Sequence, residues 1–282
     1  MKIEPPKAEK IPFKHEIHGD VRIDNYYWLN ERDNDKVIDY LNNENSYTDK
    51  ILKPTQKLQD ELFQEMKSRI KEDDTSVPYY YNDYWYMRKY EKGKDYPVYL
   101  RKYKSLDADE ELLVDVNELA KGYSYFQLRG ISISPDNKKM AYAVDTLSRR
   151  IYTIKIKNLE TGEMYNEQIK NTTGGSTWAN DNKTLFYSSR EDVTLRVNKI
   201  HKHQLGSDVG EDELVYEEKD KEFSTGIYKT KSNKFLVIGS GSTLTSEVRY
   251  IDADNPSEEP KLFLKRVEGC LLYTSPSPRD GW

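Results

Sequence analysis

Cysteine is nearly absent: Cys270 is the one cysteine in 282 residues. That excludes a disulfide framework and fits a reducing compartment. Long apolar runs are missing too. Nothing approaches the ~20 consecutive apolar residues of a membrane-spanning helix, and mean hydropathy is −0.93. The opening Met1-Lys2-Ile3-Glu4-Pro5-Pro6 lacks the apolar stretch of ~7–15 residues that a secretory signal carries. There is no basic surplus: 44 Lys and Arg stand against 49 Asp and Glu, a net charge of −5. A general nucleic-acid binder would show the opposite balance. With 14 Gly and 11 Pro, the chain is also no low-complexity or collagen-like sequence. The expectation is a soluble, cytoplasmic, globular protein with no membrane or nucleic-acid partner; the periplasm is the alternative compartment.

What is abundant is tyrosine, with 23 residues. Its flat amphipathic ring suits half-buried pleated surfaces, so many short strands are expected. The first part of the chain reads differently. Pro5, Pro6 and Pro12 predict an extended arm. Val37, Ile38, Tyr40 and Leu41 then recur at helical spacing, and Pro54 marks a break. Leu58, Leu62, Phe63, Met66 and Ile70 fall on one face of a second, amphipathic helix.

From Val77 the period becomes that of strands. Tyr79-Tyr80-Tyr81 and Tyr84-Trp85-Tyr86 flank an Asn82-Asp83 turn as a hairpin. A repeat follows. Ser134-Pro135-Asp136-Asn137-Lys138-Lys139 precedes the apolar Met140-Ala141-Tyr142-Ala143. Ala179-Asn180-Asp181-Asn182-Lys183-Thr184 precedes Leu185-Phe186-Tyr187, and Thr230-Lys231-Ser232-Asn233-Lys234 precedes Phe235-Leu236-Val237. Asn82, Asn137, Asn182 and Asn233 are separated by 55, 45 and 51 residues. A repeat of this length is that of a four-stranded propeller blade, which buries its faces on its neighbours. A β-sandwich with coincidental spacing is the competing fold.

Several strings then resemble the prolyl oligopeptidase family of serine peptidases. They are His18-Gly19-Asp20-Val21-Arg22-Ile23-Asp24-Asn25-Tyr26-Tyr27-Trp28-Leu29 and Thr177 to Tyr187. Tyr40 to Tyr47, Arg69 to Tyr79 and Asp145 to Tyr152 are similar to its oligopeptidase B branch. The resemblance implies a mainly β fold: a partial β-propeller, about four of the family's seven blades, preceded by an N-terminal helical arm. It implies three segments. Residues 1–76 would pack on an α/β-hydrolase domain, 77–269 would be the partial propeller, and 270–282 fits no blade. That last segment resembles translated sequencing-adapter read-through and is expected to be non-native. The resemblance further implies a parent enzyme that cuts short peptides after Lys or Arg, with the propeller as size filter and lid. The hydrolase domain carrying the Ser, Asp and His triad is expected to be missing, so the partners are short basic peptides and that domain.

No catalytic, cofactor-binding or metal-binding residue is assigned. Gly174-Gly175-Ser176 and Gly239-Ser240-Gly241-Ser242 superficially resemble a nucleophile motif, but both are read as loops between strands, not a strand–turn–helix elbow. His15 and His18 could share a helical face, and His201 and His203 a strand face. Two imidazoles without a thiolate cluster do not complete a four-ligand structural metal site, so surface histidines are expected. The tyrosines of residues 79–86 are expected in packing between blades rather than as a stacking platform. Dense acids at 107–115 and 208–222 are expected on solvated loops, with a negative field that attracts basic peptides as the sharper alternative. A different class remains open, a stand-alone, non-catalytic propeller used as a binding scaffold. No cofactor is expected.

Overall fold

A computed structural model describes residues 3–272. They divide into two compact units, the boundary falling between Lys71 and Glu72. The first opens with a hairpin, β1 (Phe13–Ile17) and β2 (Asp20–Asp24). His18 and Gly19 make its turn, both at positive φ. His15 and His18 therefore lie on a strand and in a turn, not on a helix as the spacing had allowed. Helix α1 (Asp35–Leu52) starts at Asn34, whose side chain accepts from Lys36 N at 3.0 Å. Pro54 ends it in a 3-10 turn, and α2 (Gln56–Ser68) follows. The apolar face of α2 (Leu58, Leu62, Phe63 and Met66) is about half exposed.

The second unit is built of antiparallel strands running sequentially outward in four blades. Blade 1 holds β3 (Asp74–Thr75) and β4 (Tyr79–Tyr81) beside β5 (Tyr84–Tyr90), then β6 (Val98–Tyr103) and β7 (Glu111–Asp115). Because β3 already pairs with Lys89 and Tyr90, the blade begins before the boundary expected at residue 77. A short helix α3 (Val116–Leu119) leads to β8 (Gln127–Ile133), β9 (Lys139–Asp145) and β10 (Tyr152–Asn158) of blade 2. The long β11 (Met164–Trp178) closes blade 2 and opens blade 3, followed by β12 (Thr184–Arg190), β13 (Val197–Gln204) and β14 (Glu213–Glu217). Blade 4 holds β15 (Ser224–Lys229), β16 (Phe235–Gly241), β17 (Ser246–Asp252) and β18 (Lys261–Leu264). This is the mainly β, four-blade propeller arc that the repeat predicted, with its N-terminal helices.

Three cores lie between the four blades. Tyr86, Leu113 and Val114 of blade 1 meet Met140, Tyr142 and Val144 of β9. From the other face of blade 2, Ala141, Ala143, Ile154 and Ile156 meet Trp178, Leu185 and Tyr187. Phe186 and Ile200 of blade 3 then meet Leu236, Ile238 and Ile251 of blade 4. The alternation along β9 and β12 thus feeds two different cores, as a strand with period two requires. Of the segment 270–282, only 270–272 are described. There the Cys270 carbonyl accepts from Ser246 N at 3.0 Å, and Leu272 N donates to Ser246 Oγ at 2.7 Å. The rest of that segment lies outside the described residues.

Strand β11 serves two blades only by bending. It pairs with β10 up to Thr172 and with β12 from Thr172 onward, with a register shift between Thr172 and Ser176. Gly174 in the bend has φ +87°, and a Cβ there would stand 2.9 Å from the Tyr152 ring. Gly130 of β8, at φ +65°, passes so close that its Cβ would lie 1.7 Å from the Gly174 carbonyl oxygen. Gly130→Ala is therefore expected to cost about 2–4 kcal/mol from left-handed strain and overpacking. Gly226→Ala, with open space and no positive φ, serves as the near-neutral control. Urea midpoints of the two variants check this, and equal midpoints contradict it.

Candidate functional site

Each blade has two ends. At one end lie the turns joining its first two strands. Asn82, Asn137, Asn182 and Asn233 all adopt positive φ there, between 47° and 61°, a conformation that asparagine tolerates better than most residues. Neighbouring side chains fasten the turns. Asp136 accepts from Lys138 N at 3.1 Å, and Asp181 accepts from Lys183 N and Thr184 N at 2.9 and 2.8 Å. Burial alone would raise both carboxyl pKa values, but Ser134 and Lys139, helped by Lys138 N, hold Asp136 below the ordinary value, and the Thr184 hydroxyl, helped by Thr184 N and Lys183 N, does the same at Asp181. At the opposite end the loops between second and third strands expose apolar tips. Leu147, Val193 and Leu244 are 75%, 93% and 66% exposed in blades 2, 3 and 4. Asp145 fastens the first of these loops through Leu147 N and Arg150 N. Arg196 fastens the second to the link between blades 3 and 4 through the carbonyls of Asp220 and Phe223.

Among the described residues, neither Ser176 nor Ser240 forms a nucleophilic site. Ser176 lies inside β11 rather than in a loop, and its hydroxyl is buried without a partner among the described residues. The register sets Ser176 opposite Tyr187 and Tyr187 opposite His201, so a tyrosine separates serine from imidazole. Ser240 likewise lies in a strand, β16, where its hydroxyl donates to Thr225 Oγ1 at 3.2 Å. All described strand pairings are antiparallel, whereas a hydrolase nucleophile elbow rises from a parallel α/β sheet.

His201 and His203 share one face of β13 but not as surface residues. His203 is fully buried and its Nδ1 sits 2.7 Å from Asp212, which also accepts from the Tyr187 hydroxyl at 2.7 Å. Burial and the Asp212 contact push the Tyr187 phenol far up. His201 stacks on the Tyr187 ring at 5.2 Å and bonds Ser189 at 2.9 Å, and burial lowers its pKa. This Tyr–Asp–His group joins β12 and β13 to the loop before β14, and no local spacing along the chain reveals it. Among the described residues no group of three or more His, Cys, Asp or Glu is arranged to hold a metal.

The tyrosine cluster divides. Tyr86 packs in the first core, while Tyr79, Tyr80 and Tyr81 stay 62%, 50% and 43% exposed. Much of the acidic content is structural rather than loop-borne. Glu111 grips Arg101 through two bonds of 2.9 and 2.6 Å. Glu218 is buried and accepts from Arg266 at 2.7 Å. Asp208, Glu211 and Glu222 carry no ion pair among the described residues. On the innermost strand of blade 4, Lys229 reaches Asn180 of the neighbouring turn. Burial lowers its amine from 10.5 to about 8, against the pull of Asp254 and Asp181.

Comparison with known proteins places this geometry. The family model "Prolyl oligopeptidase, N-terminal beta-propeller domain" matches residues 5–277, a span that runs into the segment the sequence sets apart. Dipeptidyl aminopeptidase BI of Pseudoxanthomonas mexicana is 39% identical over 270 residues, covering 89% of this chain and 37% of that protein. Protease 2 of Moraxella lacunata is 37% identical, covering 94% and 39%. Among solved structures, oligopeptidase B from Leishmania major superposes with a TM-score of 0.86 at 30% identity, over 95% of this chain and 40% of that one. Oligopeptidase B from Trypanosoma brucei, in a closed form with covalently bound antipain, gives 0.84 at 26% identity over 94% and 40%. The chain thus spans about two fifths of the proteins it matches. No helix among the described residues is long and apolar enough to cross a membrane.

The Lys229 amine makes stability depend on pH. Its folded pKa of about 8 lies below the ordinary 10.5, so between those values the unfolded chain binds more protons and stability rises with pH. Lys229→Met is expected to stabilise the fold by about 1–2 kcal/mol near pH 7, after discounting for its solvent-exposed part. The gain shrinks as pH approaches the unfolded value. Urea titrations of both proteins across that range test this; a pH-independent difference contradicts it.

Proposed function

This chain belongs to the prolyl oligopeptidase family, matching its N-terminal β-propeller domain, and from that premise we propose that it serves as the size filter and lid of a serine oligopeptidase that cuts short peptides after Lys or Arg. The observation that carries the reading is the propeller match over nearly the whole chain with no triad geometry among the described residues. The acyl chemistry then belongs to an α/β-hydrolase domain that is not among these 282 residues. The exposed loop tips Leu147, Val193 and Leu244 gather at one end of the blades, and that end is the proposed seat for the hydrolase domain. The exposed apolar face of α2 is a second contact for it. A ring of rigid blades excludes folded proteins by size, leaving preorganised groups elsewhere to do the chemistry.

The Lys/Arg preference rests on likeness to the oligopeptidase B structures and on the unpaired acids Asp208, Glu211 and Glu222, whose field would draw basic peptides in. The name of the Pseudoxanthomonas relative makes release of dipeptides the competing cleavage mode. Scarce cysteine supports a cytoplasmic setting, with the periplasm as alternative. The stand-alone scaffold is the second reading; the exposed apolar face of α2 speaks against it, since an unpartnered helix face of that size favours association.

A chimera joining residues 1–269 to the remaining part of the Pseudoxanthomonas enzyme tests the proposal. It is expected to cleave short peptides after Lys or Arg and to spare folded proteins; dipeptide release from the N-terminus instead overturns the specificity. The purified 282-residue chain alone is expected to be inert toward Lys and Arg amides. Activity lost on Ser176→Ala would overturn the assignment of the chemistry to another domain. Charge reversal at Asp208, Glu211 and Glu222 in the chimera is expected to lower kcat/KM for basic peptides at low salt only. An unchanged salt dependence removes the field from the account.

A further inference from the structure

The four asparagine turns are joined to one another by hydrogen bonds that run from blade to blade. Asn82 Nδ2 donates to Pro135 O at 2.8 Å and to Asn137 Oδ1 at 2.9 Å, and Asn137 Nδ2 donates back to Asn82 O at 3.1 Å. Asp136 N donates to Asn182 Oδ1 at 2.8 Å. Asn182 Nδ2 reaches Asn180 O at 3.3 Å within its own turn, and Asn180 Nδ2 donates to Asn233 O at 3.0 Å. Tyr81, beside Asn82 in blade 1, then donates its hydroxyl to Asn233 Oδ1 of blade 4 at 3.1 Å, 152 residues away. The series returns to the blade it left.

We propose that these turns form a strap that locks blades 1 to 4 together at the turn end, with the Tyr81–Asn233 bond as its latch. Three of the four links lie between blades that already share an apolar core. The latch is different. It joins two blades that are not neighbours and share none of those three cores, so the separation of blade 1 from blade 4 depends on it. The strap also explains why the repeat keeps asparagine. Each of the four positions accepts positive φ and places a side-chain amide atom on an adjacent turn or, at Asn233, on Tyr81, and glycine supplies only the first. The device is a property of the propeller and holds whether or not the peptidase reading does.

The 282-residue chain tests it by paired-label electron spin resonance. Cys270→Ser clears the native thiol. Asp107→Cys in the connection between β6 and β7 and Glu259→Cys in that between β17 and β18, both exposed, carry the labels. One narrow distance peak is expected. Tyr81→Phe removes only the latch hydroxyl and is expected to lose that peak to a broad distribution reaching longer distances. Asn233→Gly keeps the backbone conformation but deletes the acceptor and should do the same. Asn233→Asp retains an acceptor oxygen and should keep the peak narrow. The double variant of Tyr81→Phe with Asn233→Gly should be no broader than either alone, because one bond is lost in each case. A narrow peak in Tyr81→Phe, or an Asn233→Asp distribution as broad as that of Asn233→Gly, overturns the proposal.

Discussion

A four-stranded twisted sheet has two apolar faces, and a blade can bury them only against other blades. That requirement sets most of what is seen in this propeller. It explains why β9 sends Met140, Tyr142 and Val144 one way and Ala141 and Ala143 the other, into different cores. The same division in β12 separates Leu185 and Tyr187 from Phe186. The close meeting of β8 and β11 follows as well. Blades converge at their innermost strands, so side chains must shrink to nothing at Gly130 and Gly174 where the two backbones meet.

Packing also decides what the polar groups can do. Residues with chemical potential are consumed by the fold: Ser176 buried inside a strand, His203 held by Asp212, Glu218 held by Arg266. What remains accessible lies at the two ends of the blades, and the ends differ in kind. One is a polar set of tied turns. The other presents Leu147, Val193 and Leu244 on loops fastened by Asp145 and Arg196.

Local features were legible in the sequence. The asparagine turns could be read because positive φ restricts residue choice at a single position, and each stood before a run of apolar residues with period two. The break at Pro54 and the apolar stripe of α2 were legible for the same reason, since helix periodicity is local. Glycine usually interrupts a strand, so the Gly-Gly-Ser segment reads as a loop. Here it lets one strand bend from one blade into the next. The acidic run from Asp208 to Glu222 reads as solvated surface, but the Asp212 and Glu218 side chains lie buried against partners far away in the chain or across strands.

By itself the sequence determined the repeat, the strand and helix periods, the turn conformations, the scarcity of disulfide chemistry and the family. Each of these rests on short strings, their recurrence along the chain, or composition. Only the tertiary structure decided that Tyr81 meets Asn233 and that Tyr187 and His203 share Asp212. It also decided that Ser176 faces a tyrosine rather than a base. Those outcomes depend on strand register and blade order, which place residues from distant segments within a few ångströms. No spacing along the chain encodes them.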